Sequence, residues 1–311
     1  MNSNLKSFKF LIVVLPFTFL LLNLSCAVRH AATAVTADIL TKGMVEVETE
    51  QDTFVAKETA LPLLKIVEVL HMGNPADKKF LGLLTKVYGN YAFGFAELEA
   101  MKCHPPLPSG ERAGVRGCSD DWTARAKRFY FKGMNYGIKT LSSGSTNIAN
   151  MPISKVEKYL KGYSKTAAAD LFWTAFAWGS YINMNRDDIA VTADLPRVQA
   201  LVDRVIAVDP EFMCGVAHAF KGALLVANPF LTGSKPETAK PYFEKAIGMC
   251  DGNFLMTKVM YAEWYQKAVG DKAGFKKTLD DVIAADGSKL PPHRLANELA
   301  KERAALLMKL K

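Results

Sequence analysis

The chain has 311 residues, half of them hydrophobic, and a formal net charge of +8. That length and apolar content support a sizeable buried core. The basic residues are scattered among acids, as in Lys155-Val156-Glu157-Lys158, with no like-charge block and no basic-aromatic interleaving, a pattern of a solvated surface rather than of nucleic-acid binding.

The first element is a short basic start (Lys6, Lys9), an apolar run from Phe10 to Leu22, and then Asn23-Leu24-Ser25-Cys26. This order reads as a lipoprotein signal peptide over residues 1–25. The small Ser25 gives a peptidase access, and the Cys26 thiol takes the lipid. The run is short of the roughly 20 residues that span a bilayer, and Pro16 interrupts it. A plain signal peptide with an incidental Cys26 is the competing reading, since Asn23 stands where an aliphatic residue is usual. On the lipoprotein reading, several acyl chains at about 0.8 kcal/mol per buried methylene anchor the chain outside the cytoplasm.

Residues 26–49 form a tether and lead-in, with small, weakly patterned residues from Ala27 to Ala37. Beyond them the pattern is helical almost throughout. Phe54, Leu61, Leu64, Val67 and Leu70 recur at helical spacing and predict a helix over about 50–71, stopped by Gly73-Asn74-Pro75. A second helix is predicted over about 75–101, with Phe80, Leu83, Leu84, Val87, Tyr91 and Phe95 on one face. Residues 104–117 carry three prolines and three glycines without an apolar period, and read as a surface loop. Of the five cysteines, Cys103 and Cys118 bracket that loop. Two readings stand for them: a disulfide contributing about 3 kcal/mol, or two free thiols. Cys214 and Cys250 sit in helical patterns and read as small core residues.

Small or apolar residues at spacings of four and then three mark the packed helix of a helical hairpin. The pattern occurs at Ala126/Tyr130/Gly133, Val198/Val202/Val205, Ala239/Phe243/Ala246 and Phe275/Leu279/Val282. The last two sets lie 36 residues apart, near the tetratricopeptide period, and the preceding offset of 41 accommodates a loop around 228–233. The prediction is an all-α fold over 50–311: an α-hairpin solenoid of about four tetratricopeptide-like repeats with extra N-terminal helices.

Three stretches then resemble a family: Arg125 to Leu141 (RAKRFYFKGMNYGIKTL), Phe172 to Ile182 (FWTAFAWGSYI), and the segment from Asp194-Leu195-Pro196 through Pro236 to Ala246 (PETAKPYFEKA) and on to Glu263. In order and spacing they are similar to the T component of tripartite ATP-independent periplasmic (TRAP) transporters, over roughly residues 50–311 outside the 104–117 loop. The resemblance implies a lipid-anchored all-helical protein that docks a TRAP-type periplasmic solute-binding protein, as an oligomer. It also implies an apolar channel or cleft for a hydrophobic or amphipathic solute.

No catalytic motif stands out. There is no nucleophile elbow, His-Glu-x-x-His or phosphate loop, so an enzyme is not expected. The covalent lipid apart, no cofactor and no metal is expected. His71 and His293 read as caps or surface residues, and His218 as a core histidine. The pairs Asp120-Asp121, Asp187-Asp188 and Asp280-Asp281 read as helix-start or solvated acids. Phe172, Trp173, Phe176, Trp178 and Tyr181 crowd a helix that is apolar nearly all round. It is either an inner core helix or the wall of an apolar path, and Tyr261, Trp264 and Tyr265 invite the same two readings. Transport with solute transfer therefore competes with a protein-binding envelope scaffold that moves no solute.

Overall fold

The computed structural model describes residues 35–103, 112–227, 233 and 235–310, with the backbone alone over 112–116. Cys26, the signal segment and most of the 228–233 loop lie outside the described residues. The described chain is all-α, without a β-sheet. The helices are α1 (35–49), α2 (Thr53–Gly73), α3 (Lys78–Tyr91, continuing through a π-helical turn Ala92–Ala96 into Glu97–Lys102), α4 (Arg112–Leu141), α5 (Ile153–Leu160) and α6 (Ala168–Asn183). They continue with α7 (Leu195–Val208), α8 (Val216–Ala227), α9 (Lys240–Gly248), α10 (Leu255–Met260, followed by a π-helical turn Tyr261–Gln266), α11 (Lys272–Ala284) and α12 (Arg294–Lys309).

Local chemistry sets the boundaries. Asp52 and Asp77 accept hydrogen bonds from the first free amides of α2 and α3, as N-caps do. The Lys78 ammonium donates to the carbonyls of Lys139, Thr140 and Ser142, so the start of α3 closes the C-terminus of α4. Asn297, fully buried on α12, accepts from the Leu255 amide at 2.9 Å and donates to the carbonyls of Asn253 and Gly287. One side chain thus fixes where α10 begins.

The predicted inner face of α3 is buried at all six positions. On α2 the buried row is Ala56, Ala60, Leu64, Val67 and His71. Phe54 was expected on that face, but it lies two residues before Ala56, about 200° round the helix, and is 69% exposed. The helical-hairpin positions pack as their spacing predicts: eleven of the twelve are buried, and Phe275 is partly so. Gly133 shows why one is a glycine. A Cβ there would meet the Thr85 carbonyl at 3.3 Å and the Tyr88 and Ala177 Cβ atoms at 3.3 and 3.2 Å, so α4 fits closely between α3 and α6.

Two expectations need correction. Residues 112–117, taken as loop, are the first turns of α4; Gly114 and Gly117 weaken a helix without forbidding it, and the last proline is Pro108. Cys214 and Cys250 are not isolated core residues: they form a disulfide, with Cα atoms 5.5 Å apart. Each lies in a left-handed turn between helices, Met213-Cys214-Gly215 and Cys250-Asp251-Gly252, where φ is positive at all six residues. Cys103 and Cys118 are also joined, across the segment that leads from α3 into α4.

Most consecutive helices pack against each other, α5 packing instead on α7, and the series closes. Helices α3, α6, α8, α10 and α12 each touch the next, and α12 returns to the C-terminal part of α3. Helices α4, α7, α9 and α11 pack against this inner ring.

Candidate functional site

The inner ring surrounds an apolar cavity of about 140 Å³. From α3 come Val87, Asn90, Phe93 and Gly94; from α6, Phe172, Trp173 and Phe176; from α8, Val216 and Phe220. Met256 and Met260 of α10 and Leu295, Ala296 and Leu299 of α12 complete the ring, and Met44, Val47 and Glu48 of α1 cover one side. The rings interlock edge to face: Phe93 on Phe176 at 5.5 Å and Trp173 on Phe176 at 5.8 Å. Met44, Met213, Met256 and Met260 add unbranched side chains that repack easily around apolar ligands.

Two polar compartments flank the cavity. At one end Met44, Glu48, Trp173, Met213 and His293 are shared with a vestibule that also holds Asp38, Lys78, Lys79, Lys86 and Asp170. At the other, Phe93, Phe176, Phe220 and Met260 form a wall shared with a third compartment containing Glu97, Glu263, Trp264, Lys267 and Arg303.

Arg303 joins the ring there. Its guanidinium donates twice to Glu263 at 2.8 and 2.9 Å and lies 3.0 Å from Glu97, whose other oxygen accepts from the Tyr130 hydroxyl at 2.6 Å. Lys102–Glu302, at 2.6 Å, adds an ion pair across the same α3–α12 seam. Burial raises the Glu97 pKa, with Arg303 opposing it. Burial would lower that of Arg303, but Glu263 and Glu97 outweigh it and hold the guanidinium charged. Both glutamates sit at π-helical turns, Glu97 just after the one in α3 and Glu263 within the one after α10.

The sequence-selected aromatics divide by helical phase. Phe172, Trp173 and Phe176 line the cavity. Trp178 is about 200° round the helix from Phe176; it is 1% exposed and hydrogen-bonded to Asp194 in the packed core. Tyr181 packs on Phe131 at 5.2 Å. Tyr261 and Tyr265 stack on each other at 5.2 Å and against Phe243, facing the inter-helix core. Trp264 lines the third compartment, with the Arg186 guanidinium 5.8 Å from its ring.

His71 and His293 differ from expectation, while His218 lies in the core as read. His71 is buried in the last turn of α2, edge-on to Tyr136 at 5.6 Å, and His293 lines both the cavity and the vestibule. His218 is buried, and burial lowers its pKa. Asp188 caps the short turn Ile189–Thr192, and Asp280 and Asp281 pair with Lys276 and Lys277 one turn away. Among the described residues no His/Cys/Asp/Glu group could hold a metal ion, and no helix is long and apolar enough to cross a membrane.

The sequence pattern of the TRAP transporter T-component family matches residues 49–311, which include every ring helix. The chain belongs to the TRAP transporter T-component family. It is similar to an uncharacterized protein of Treponema pallidum (strain Nichols), 23% identical over 264 residues, which covers 83% of this chain and 79% of that one. Family membership makes the protein a component of a transport system and points to the cell envelope and to transport rather than catalysis.

Three parts of the site were missed from sequence. Helix α1 fell in the presumed lead-in, the α12 wall carries ordinary leucines, and Arg303 sits in a charged stretch. A signal for Arg303 exists: it falls in register with Leu299, Ala300, Ala304 and Leu307, the buried face of α12.

Proposed function

We propose that this T component is a lipid-anchored, periplasm-facing, non-enzymatic protein that docks a TRAP-type solute-binding protein and holds a hydrophobic or amphipathic solute on its way to or from that partner. The observation that carries the reading is the apolar cavity closed by five helices and walled by aromatic and methionine side chains. A core of this kind is normally filled. An opening lined by adaptable apolar side chains, with a few polar groups at one end, has the composition of a small-molecule site.

The test fills the cavity from within. Ala296→Trp places an indole in the lining, whereas Ala273→Trp adds one on the exposed surface of α11. Fluorescence titration with the apolar dye N-phenyl-1-naphthylamine should show saturable binding to the wild type and the Ala273→Trp variant, and loss of binding in the Ala296→Trp variant. Equal binding by all three would place the dye elsewhere and remove the support for a solute cavity.

An envelope scaffold that moves no solute is favoured by one feature. Helix α2 exposes Phe54, Ile66, Val69 and Met72, an outer apolar surface of the kind protein partners cover. Docking and solute holding use different faces, so the dye titration separates the two readings.

A further inference from the structure

Val35, in the first described turn of α1, follows Cys26 by nine residues. An extended chain covers at most about 3.6 Å per residue, so the start of α1 stands within about 32 Å of Cys26. The ion pairs of α1 identify that end of the fold. Asp38 pairs with Lys79 at the start of α3, and Glu48 pairs with Lys86 further along it. Helix α1 therefore runs in the same direction as α3, and its first turn lies where α2 ends and α3 begins.

The last turn of α4 and helix α5 meet at the same end. Lys78 donates to the Lys139 and Thr140 carbonyls. Tyr136 of α4 takes His71 of α2 against its ring at 5.6 Å and has the Lys139 ammonium 5.9 Å from its centroid. Tyr159 of α5 and Tyr163 just beyond it both donate to the Leu141 carbonyl at 2.6 Å.

This end shows solvent a mixture of apolar side chains and cations. Val35 and Ile39 of α1 and Val69 and Met72 of α2 face outward, Met72 being 76% exposed. The opposite faces of both helices are packed into the fold, so these four are a separate outer set. Lys139, Lys155 and Lys158 are exposed beside them and have no ion-pair partner among the described residues. Of the acids here, Asp38 pairs with Lys42 and Lys79, and Asp77 caps α3.

We propose that this end of the fold is a membrane-contact face. Val35, Ile39, Val69 and Met72 enter the boundary between head groups and acyl chains, to a depth of about 5–10 Å. Lys139, Lys155 and Lys158 pair with the phosphates of anionic lipids. A protein could also cover apolar side chains, but the short tether holds this particular end beside a bilayer, and its unpaired cations match an anionic surface. The contact orients the helix ring, with the vestibule that Asp38, Lys78 and Lys79 line turned towards the membrane.

This inference rests on the Cys26 anchor of the proposed function. The test uses the full-length lipoprotein reconstituted in vesicles of phosphatidylcholine and phosphatidylglycerol with brominated acyl chains, which quench a tryptophan that reaches them. In Met72→Trp and Ile39→Trp the added emission should be largely lost. Phe54 lies on the same side of α2 as Met72 but about 27 Å along the axis, so Phe54→Trp should keep its emission. Equal quenching at positions 54 and 72 overturns the end-on contact. Each lysine near an anionic surface favours contact roughly fivefold, so Lys139→Gln, Lys155→Gln and Lys158→Gln together, or high salt, should restore emission in Met72→Trp. Quenching indifferent to both overturns the pairing with head groups. Protection of Met72→Trp from acrylamide without quenching by bromine means that protein covers the face, and overturns the proposal. Mass spectrometry of the N-terminal peptide reads the anchor separately. An acylated Cys26 with no quenching at position 72 or 39 overturns the face and leaves the anchor standing; an unacylated Cys26 overturns the anchor and with it the choice of lipid. Circular dichroism confirms folding, and the two exposed positions, on different helices, keep the test open if one variant fails.

Discussion

Replacing Arg303 by Met should destabilise the protein strongly, although no core volume is lost. The side chain is 6% exposed and holds two carboxylates of different helices, with contacts of 2.8 and 2.9 Å to Glu263 and 3.0 Å to Glu97. Methionine fills much of the same space but leaves both carboxylates facing one another without a cation. Removing one member of a buried ion cluster costs about 3–5 kcal/mol, whereas replacing the whole cluster by apolar or neutral groups is close to neutral. Urea unfolding followed by the fluorescence of the four tryptophans should therefore show a loss of about 3–5 kcal/mol for Arg303→Met. The triple variant Glu97→Gln, Arg303→Met, Glu263→Gln should recover most of it. The deficit should also depend on pH. The Glu97 pKa is already raised by burial, and losing the guanidinium raises it further. A folded-state value above the unfolded one favours the fold at low pH and disfavours it as pH rises through the folded value. The deficit should thus be largest at neutral pH and shrink as the solution is acidified. A loss below about 1 kcal/mol, or a triple variant no better than the single one, would refute the idea that this cluster closes the ring.

Glu68 offers the opposite pH behaviour. Burial opposes its ionisation, but hydrogen bonds from Lys65, Tyr88 and Lys132 prevail and pull its pKa down to about 2. Because that lies below the unfolded value of 4.5, its contribution is full above about pH 4.5 and fades as pH falls towards 2. Glu68→Gln should cost up to about 3 kcal/mol at pH 7 and far less at pH 3, by thermal or urea unfolding at both values. The Cys214–Cys250 bond closes a 36-residue separation, so the double Cys→Ser variant should lose about 3–4 kcal/mol under oxidising conditions and nothing relative to the wild type in strong reductant. Gly133→Val should be destabilising, since its Cβ would press on the Thr85 carbonyl. A thermal midpoint within about 2 °C of the wild type would show that α3, α4 and α6 have room to separate.

Helix periodicity made the packing helices legible. Ala126, Tyr130 and Gly133, and the equivalent trios on α7 and α9, are where they should be, because a residue squeezed between two helices must be small or apolar and recur at three or four. The cavity was harder to read, since a ring lining a cavity and a ring filling a core are the same residue type. Phe176 and Trp178 are two positions apart on one helix, and only the three-dimensional arrangement separates the cavity wall from the packed side. Glu97, Glu263 and Arg303 come from three separate helices, so no local pattern links them. The Cys214–Cys250 bond was obscured by helical patterning on both sides, although Cys214-Gly215 and Cys250-Asp251-Gly252 carry the glycines that such turns need.

The most direct measurement is a mild pulldown of the full-length protein from its own envelope, with mass spectrometry of the proteins and of the extracted small molecules together. The account predicts a TRAP-type solute-binding protein in the eluate and a hydrophobic or amphipathic molecule bound in stoichiometric amount. Recovery of envelope-assembly proteins alone, with no apolar molecule, would contradict it.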